Sequence, residues 1–325
     1  RKPLIAAGYG LSSVSKLVIG FATGWPLVLV ARFSDRIGKG VRTSPRDALI
    51  AAEVAPAERG RAFGFHRAAD TAGAVVGPLL GLGLYELLDH RIRPLFFVAF
   101  VPAVVSVALI TLVREHRPAV DVPAAHAHVL EPAAALPRRY WRAVAFLAIF
   151  GLVNFSDALL LVRAKELGLG FVGVVGAYVL YNLAYAGLSY PAGVVSDRVP
   201  RHLVFACGLA IFAIAYTGLG VVTTTAWVWV LLPLYGGYTA LTDGVGKAWV
   251  ADLLPASQTG TGLGLYQGIA GGGAVVAGIW AGLAWGDAGR LPLVVAGCVA
   301  GALALWLAYA GSSRYAPVAD LPNSA

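Results

Sequence analysis

Arg32, Asp35, Arg36, Lys39, Arg42, Arg46 and Asp47 recur at intervals of three and four along Trp25 to Ala52, WPLVLVARFSDRIGKGVRTSPRDALIAA. A helix advances by about 100° per residue, so this spacing gathers the charges on one face and leaves the other apolar or small. Guanidinium and ammonium groups arranged in this way bind carboxylates and phosphates, and the aspartates among them can hold a proton or a cation. In a bilayer the stripe cannot face lipid, because each charge at mid-depth costs at least ~2.5–3.5 kcal/mol. It must line a wet cavity or meet partners. Asp35, Arg36 and Lys39 fall near the middle of the stretch, whereas Arg42, Arg46 and Asp47 fall near one end, where long side chains can reach the interface.

The other candidates are scattered polar groups in apolar segments: Lys16, Arg67 and Asp70 early in the chain, then Asn154, Asp157, Tyr181, Asn182, Tyr185, Asp243 and Lys247. Arg67 with Asp70, and Asp243 with Lys247, lie one helical turn apart. Each couple therefore also reads as an internal ion pair, the first with a gating or structural role. Lys16, Arg32, Arg36, Lys39, Arg42, Arg46 and Arg67 exceed Asp35, Asp47 and Asp70 by four charges, and an excess of that size calls for an anion. There is no HExxH, no GxSxG and no Cys or His cluster of metal spacing, so no enzyme, metal site or cofactor is expected. Cys207 and Cys298 sit in apolar segments and read as packing residues.

The elements that position these groups follow from composition. With 58% hydrophobic and 13% charged residues and a mean hydropathy of +0.74, the 325-residue chain carries more apolar surface than a soluble domain can bury. It reads as an all-α polytopic membrane protein. The net charge of +8 then belongs to the cytoplasmic face and the cavity, and not to nucleic-acid binding. Segments long enough to cross ~30 Å of hydrocarbon fall near 3–22, 25–52, 63–86, 94–113, 140–162, 171–193, 203–222, 226–249, 260–285 and 291–311. The one long hydrophilic interval, 114–139, is a Pro- and Ala-rich linker between a four-helix bundle, 1–113, and a six-helix bundle, 140–325.

An internal repeat runs at an offset of 200: Gly8 matches Gly208, Gly20 matches Gly220, and GRAFGFHRAADTAGAVVG from Gly60 matches GTGLGLYQGIAGGGAVVA from Gly260. Arg1 aligns with Arg201, which two helices precede in the second copy, and the chain contains no Met. Two further helices are therefore expected ahead of Arg1, making the ten segments spans three to twelve. The copies differ in chemistry: Lys16 aligns with Tyr216, Arg36 and Lys39 with Tyr235 and Tyr238, Arg67 with Gln267 and Asp70 with Ala270. Lys and Arg in the connections, including Arg59, Arg61, Arg114, Arg138, Arg198 and Arg201, favour one side, which is expected to be cytoplasmic along with the C-terminus. In that count Arg59 is a solvated loop residue.

Two six-helix repeats joined by a basic loop, with GVVSDRVPR between the second and third helices of a half, resemble the major facilitator superfamily. The resemblance implies a gating motif carried by Gly193, Asp197, Arg198 and Arg201, in which the aspartate meets a helix N-terminus and an arginine; Pro200 stands where the family has a glycine. GAVVGPLLG from Gly73 is similar to a Gly-Pro motif of exporters in that superfamily, which implies close helix packing at Gly73, Gly77 and Gly81 and a bend at Pro78. The expected function is secondary active transport of a small organic solute, anionic or amphiphilic, by alternating access, with proton-coupled export by an antiporter of the cytoplasmic membrane. The alternative is a proton-coupled multidrug exporter for cations, with Asp35, Asp70 or Asp157 as counter-charge; a non-transporting receptor is disfavoured by the repeat. The partners expected are a small-molecule solute, protons and the bilayer, for a protein acting as a monomer.

Overall fold

The computed structural model describes residues 2–112, 136–255, 257–286 and 288–314, and among these it contains helices and no strand. Most of the expected linker therefore lies outside the described residues, as do Arg1 and Arg114. The helices are α1 (Lys2–Gly20), α2 (Trp25–Glu53), α3 (Arg59–Leu87), α4 (Ile92–Leu112), α5 (Arg138–Gly151), α6 (Asp157–Glu166), α7 (Phe171–Arg198), α8 (Arg201–Val221), α9 (Val228–Asp252), α10 (Thr259–Leu283) and α11 (Arg290–Arg314). Nine of the expected segments correspond to single helices. The tenth, 140–162, is broken into α5 and α6.

The break has local causes. Gly151 and Asn154 are weak helix formers, and Ser156 caps the new start, its Oγ accepting the Ala158 N–H at 3.3 Å. The carbonyl of Leu152, freed by the break, accepts a bond from the Trp280 indole of α10 at 2.7 Å. Irregular backbone at membrane depth persists where neighbouring protein satisfies it in this way.

Seven helices, α1, α3, α4, α7, α8, α10 and α11, are long and apolar enough to cross a membrane on their own. The others fall short for reasons visible in their side chains. α5 and α6 are short, α2 carries the charged stripe, and α9 carries Tyr235, Tyr238, Thr239, Thr242, Asp243, Lys247 and Asp252. From Tyr235 onward α9 is largely buried, so protein meets most of its polar groups, while the Asp243 side chain stays 45% exposed.

The described chain clusters into two compact units, Arg1–Leu49 with Leu79–Pro132, and Ile50–Pro78 with Ala133–Ala325. In the first, Gly20 lets α1 settle on Phe97 of α4, where an added Cβ would sit 2.9 Å from the ring. Gly8 and Gly38 bring α1 against α2, a Cβ on Gly8 falling 2.6 Å from the Gly38 carbonyl oxygen. Arg42 lies 4.0 Å over the Tyr9 ring, and Asp47 is fully buried beside Arg46 at 3.0 Å.

The second unit has an aromatic core: Phe150, Phe155, Phe212, Tyr216, Tyr235 and Tyr238 are buried together, with Phe212 and Tyr216 stacked at 3.8 Å. Gly236 brings α9 onto α7 so closely that a Cβ there would lie 2.5 Å from the Tyr181 carbonyl oxygen. That approach sets the tyrosines of α7 beside Tyr235 and Asp243. The start of α3 belongs to this unit too, because Gly60 and Gly64 pack on Gly193 and Ser189 of α7. The packing expected farther along α3 differs: a Cβ on Gly73, Gly77 or Gly81 would meet no atom within 4 Å among the described residues, and Pro78 lies inside a continuous helix.

Candidate gating and solute site

Helix N-termini expose N–H groups without partners inside the helix and attract negative charge. At the start of α3 this role falls to Asp197, whose carboxylate accepts the N–H groups of Gly60 at 2.8 Å and Arg61 at 2.9 Å. Asp197 lies in the last turn of α7 and not in a loop, since α7 continues through Arg198. Gly193, one turn earlier, permits the approach, because a Cβ there would collide with the Gly60 carbonyl. Arg201, at the first position of α8, pairs with Asp197 at 3.2 Å and with Asp252 at 2.7 Å, and donates to the Pro56 carbonyl at 2.9 Å. Arg198 is exposed.

Arg59 corrects the sequence reading. It is not a solvated loop residue: its side chain is 12% exposed, it pairs with Asp252 at 3.1 Å and it donates to the Ala251 carbonyl at 3.3 Å. Asp252 thus serves two arginines at once, one from α3 and one from α8. Neither Arg59 nor Asp252 was legible as part of the motif, although Asp252 is the repeat's counterpart of Glu53.

A second polar cluster lies along α6, α7, α9 and α3. The break before α6 places Asp157 at a helix start, where its carboxylate accepts the hydroxyls of Tyr235 at 2.6 Å and Tyr181 at 3.0 Å. The fully buried Tyr216 ring lies 5.6 Å from that of Tyr235. One turn along α7 from Tyr181, the Tyr185 hydroxyl donates to Asp243. Arg67 of α3 reaches the same carboxylate at 3.0 Å while holding Asp70 at 3.2 Å, with its guanidinium 5.9 Å from the centre of the Tyr185 ring.

The remaining candidates divide by location. Asn182 is buried and donates to Tyr178 of its own helix at 2.8 Å, and Asn154 sits in the α5–α6 break, its N–H on the Phe150 carbonyl at 3.1 Å. Lys247 is 8% exposed, one turn beyond Asp243. Lys16, Arg32, Asp35, Arg36 and Lys39 belong to the other unit. There Lys16 reaches the Ser12 carbonyl at 3.4 Å, Asp35 is half-buried, and Arg32, Arg36 and Lys39 are exposed. Tyr235 went unrecognised as a site residue; its only signal was its alignment with Arg36. Among the described residues no group of three or more His, Cys, Asp or Glu side chains is placed to hold a metal ion.

The family model described as Major Facilitator Superfamily matches the chain twice, over residues 1–180 and 143–323. An uncharacterised MFS-type transporter of Methanocaldococcus jannaschii is 31% identical over 292 residues, 88% of this chain and 72% of the relative. The multidrug resistance protein MdtH of Enterobacter sp. (strain 638) is 34% identical over 91 residues, 28% of this chain and 22% of that protein. The human organic anion transporter TETRAN superposes with a TM-score of 0.75 over 94% of this chain and 77% of its own, at 17% identity, a likeness of fold.

Proposed function

Since this chain belongs to the major facilitator superfamily, we propose that it moves a small organic solute across the bilayer by alternating access, coupled to protons, and that the solute carries an anionic group. The observation that carries the transport reading is the latch at Asp197. Its carboxylate joins α7 to the first turn of α3 by charge-assisted bonds worth about 1.5–3 kcal/mol each. Bonds of that size hold a closed state and can still be exchanged for others, as a gate requires. The latch is assigned to the cytoplasmic side, because the connections near it carry Arg59, Arg61, Arg198 and Arg201. On this reading the protein acts as a monomeric carrier in the cytoplasmic membrane, with its C-terminus inside, and not as an enzyme.

The anionic reading is supported by basic groups on α2 and α3. Arg32, Arg36 and Lys39 are exposed on α2, and Arg67 stands between two carboxylates. A cationic solute is the second reading. It is favoured by Asp157, a carboxylate held by two tyrosine hydroxyls, and by the partial likeness to a multidrug resistance protein. Flux into liposomes holding the full-length protein, with radiolabelled benzoate and tetraphenylphosphonium as paired probes under an imposed pH gradient, separates the two. Gradient-dependent benzoate movement in excess of that in protein-free liposomes, which the neutral acid crosses unaided, supports the first, and phosphonium movement in excess of the same control, without any excess for benzoate, replaces it with the second.

A further inference from the structure

We infer that the break between α5 and α6 holds a monovalent alkali cation, with the carboxylate of Asp157, the side-chain amide of Asn154 and the unbonded carbonyls of the break as its oxygen ligands. The inference goes beyond the proton-coupled reading proposed above and does not depend on which solute is carried.

Breaking a helix at membrane depth leaves carbonyls that need partners. Some are supplied. Phe150 accepts the N–H groups of Val153 at 3.0 Å and Asn154 at 3.1 Å, Leu152 accepts the Trp280 indole at 2.7 Å, and Ser156 accepts the Leu159 N–H at 2.9 Å. No donor among the described residues reaches the carbonyls of Gly151, Val153, Asn154 or Phe155. Gly151 is buried, and Val153 and Phe155 are 8% and 2% exposed, so bulk water does little to replace the missing donors. Carbonyl oxygens left in that state call for another partner, and an ion is one that satisfies several together.

The same stretch carries a negative charge without a counter-cation. The Asp157 carboxylate is held by the Tyr235 and Tyr181 hydroxyls, both neutral. No lysine or arginine among the described residues pairs with it, and the charged side chain that acts on it is another acid, Asp243. The start of α6 tempers the charge, but Ser156 already takes the Ala158 N–H. A carboxylate so placed inside a bilayer is costly until a cation joins it. Asn154, three residues before Asp157, brings an amide oxygen, and its side chain closes no hydrogen bond among the described residues. One carboxylate with several neutral oxygens suits a hard ion of single charge, whereas a divalent ion draws on more carboxylates. Freed carbonyls at a helix break are suited to Na+. An ion there ties the end of α5 to Asp157 and, through Tyr181 and Tyr235, to α7 and α9.

The test uses full-length protein in detergent at pH 7.5, with two readouts: binding of radiolabelled sodium, and the unfolding midpoint in NaCl against choline chloride at equal ionic strength. The parent should bind sodium saturably, release it to excess unlabelled NaCl but not to choline, and unfold at a higher temperature in NaCl. N154A should weaken binding roughly tenfold. D157N should abolish it together with the effect of NaCl on the midpoint, and D89N, at an exposed acid in the turn between α3 and α4, should leave both unchanged. N154A keeps every partner of Asp157, so it decides the matter even if D157N fails to fold. Absence of saturable sodium binding in the parent, or parental affinity in either N154A or D157N, overturns the inference. A midpoint that responds to pH, and to NaCl no more than to choline, also overturns it and makes Asp157 a proton site.

Discussion

Arg59 and Asp252 meet at 3.1 Å, and the second oxygen of the same carboxylate lies 2.7 Å from Arg201, so one side chain at the end of α9 ties together the starts of α3 and α8. Both arginines are mostly sheltered from water, at 12% and 9% exposure, so screening weakens these pairs less than it would at an open surface.

Arg59→Gln should therefore loosen the latch by about 1–2 kcal/mol, a several-fold shift toward the open state. Ala248, fully buried in the small cluster with Phe63 and Ala251, reports on it. In a background with Cys207 and Cys298 replaced by Ser, maleimide labelling of A248C should rise when Arg59→Gln is added. Equal labelling with and without that change would return Arg59 to the role of a solvated residue.

Asp197→Asn removes the charge that faces the α3 N-terminus and Arg201 but keeps an acceptor oxygen. It should raise labelling at A248C in the same way and leave solute affinity within about twofold. A change confined to affinity, with labelling unaltered, would take Asp197 out of the gate.

Glycines on α3 and α7 should separate into two classes. Gly193→Ala forces a methyl into the Gly60 carbonyl and should lower thermal stability and flux together. Gly73→Ala and Gly77→Ala meet open space among the described residues and should be neutral or stabilise the helix by about 0.5–1 kcal/mol. A large loss of stability or transport in Gly73→Ala would show that a neighbour packs there.

Tyr235→Phe keeps the ring in the aromatic core and deletes one donor to Asp157. It should cost about 1 kcal/mol, and Asp157→Asn, which also leaves two tyrosine hydroxyls with a weaker acceptor, should cost more. Unfolding midpoints of the two variants and the double variant in detergent give the coupling between them. Additive effects would contradict a direct bond.

Arg36→Gln keeps much of the length and polarity of the side chain on α2 but not its charge, and should weaken binding of an anionic solute by roughly tenfold, with Arg36→Lys restoring part of it. Benzoate titrations on the full-length protein would decide. Wild-type affinity in Arg36→Gln would move the stripe from solute binding to packing.

The sequence by itself determined the class and nine of the ten helix positions, while the partners expected of Asp197 came from the resemblance to the major facilitator superfamily. Runs of about twenty apolar residues admit one solution in a bilayer, because only a helix satisfies its own backbone there. What tertiary structure decided is where partners come from. Asp243 looked like half of an i,i+4 pair with Lys247, yet it also meets Arg67, which periodicity within one helix cannot reveal. Gly73 and Gly77 permit close approach, but a missing side chain says only that a neighbour could come near; the neighbours came near Gly60, Gly64 and Gly193 instead. The break before Asp157 depends on Trp280 of another helix to hold the freed carbonyl of Leu152. Local sequence sets what each segment can form on its own; only the packed chain sets which of its charges and carbonyls find one another.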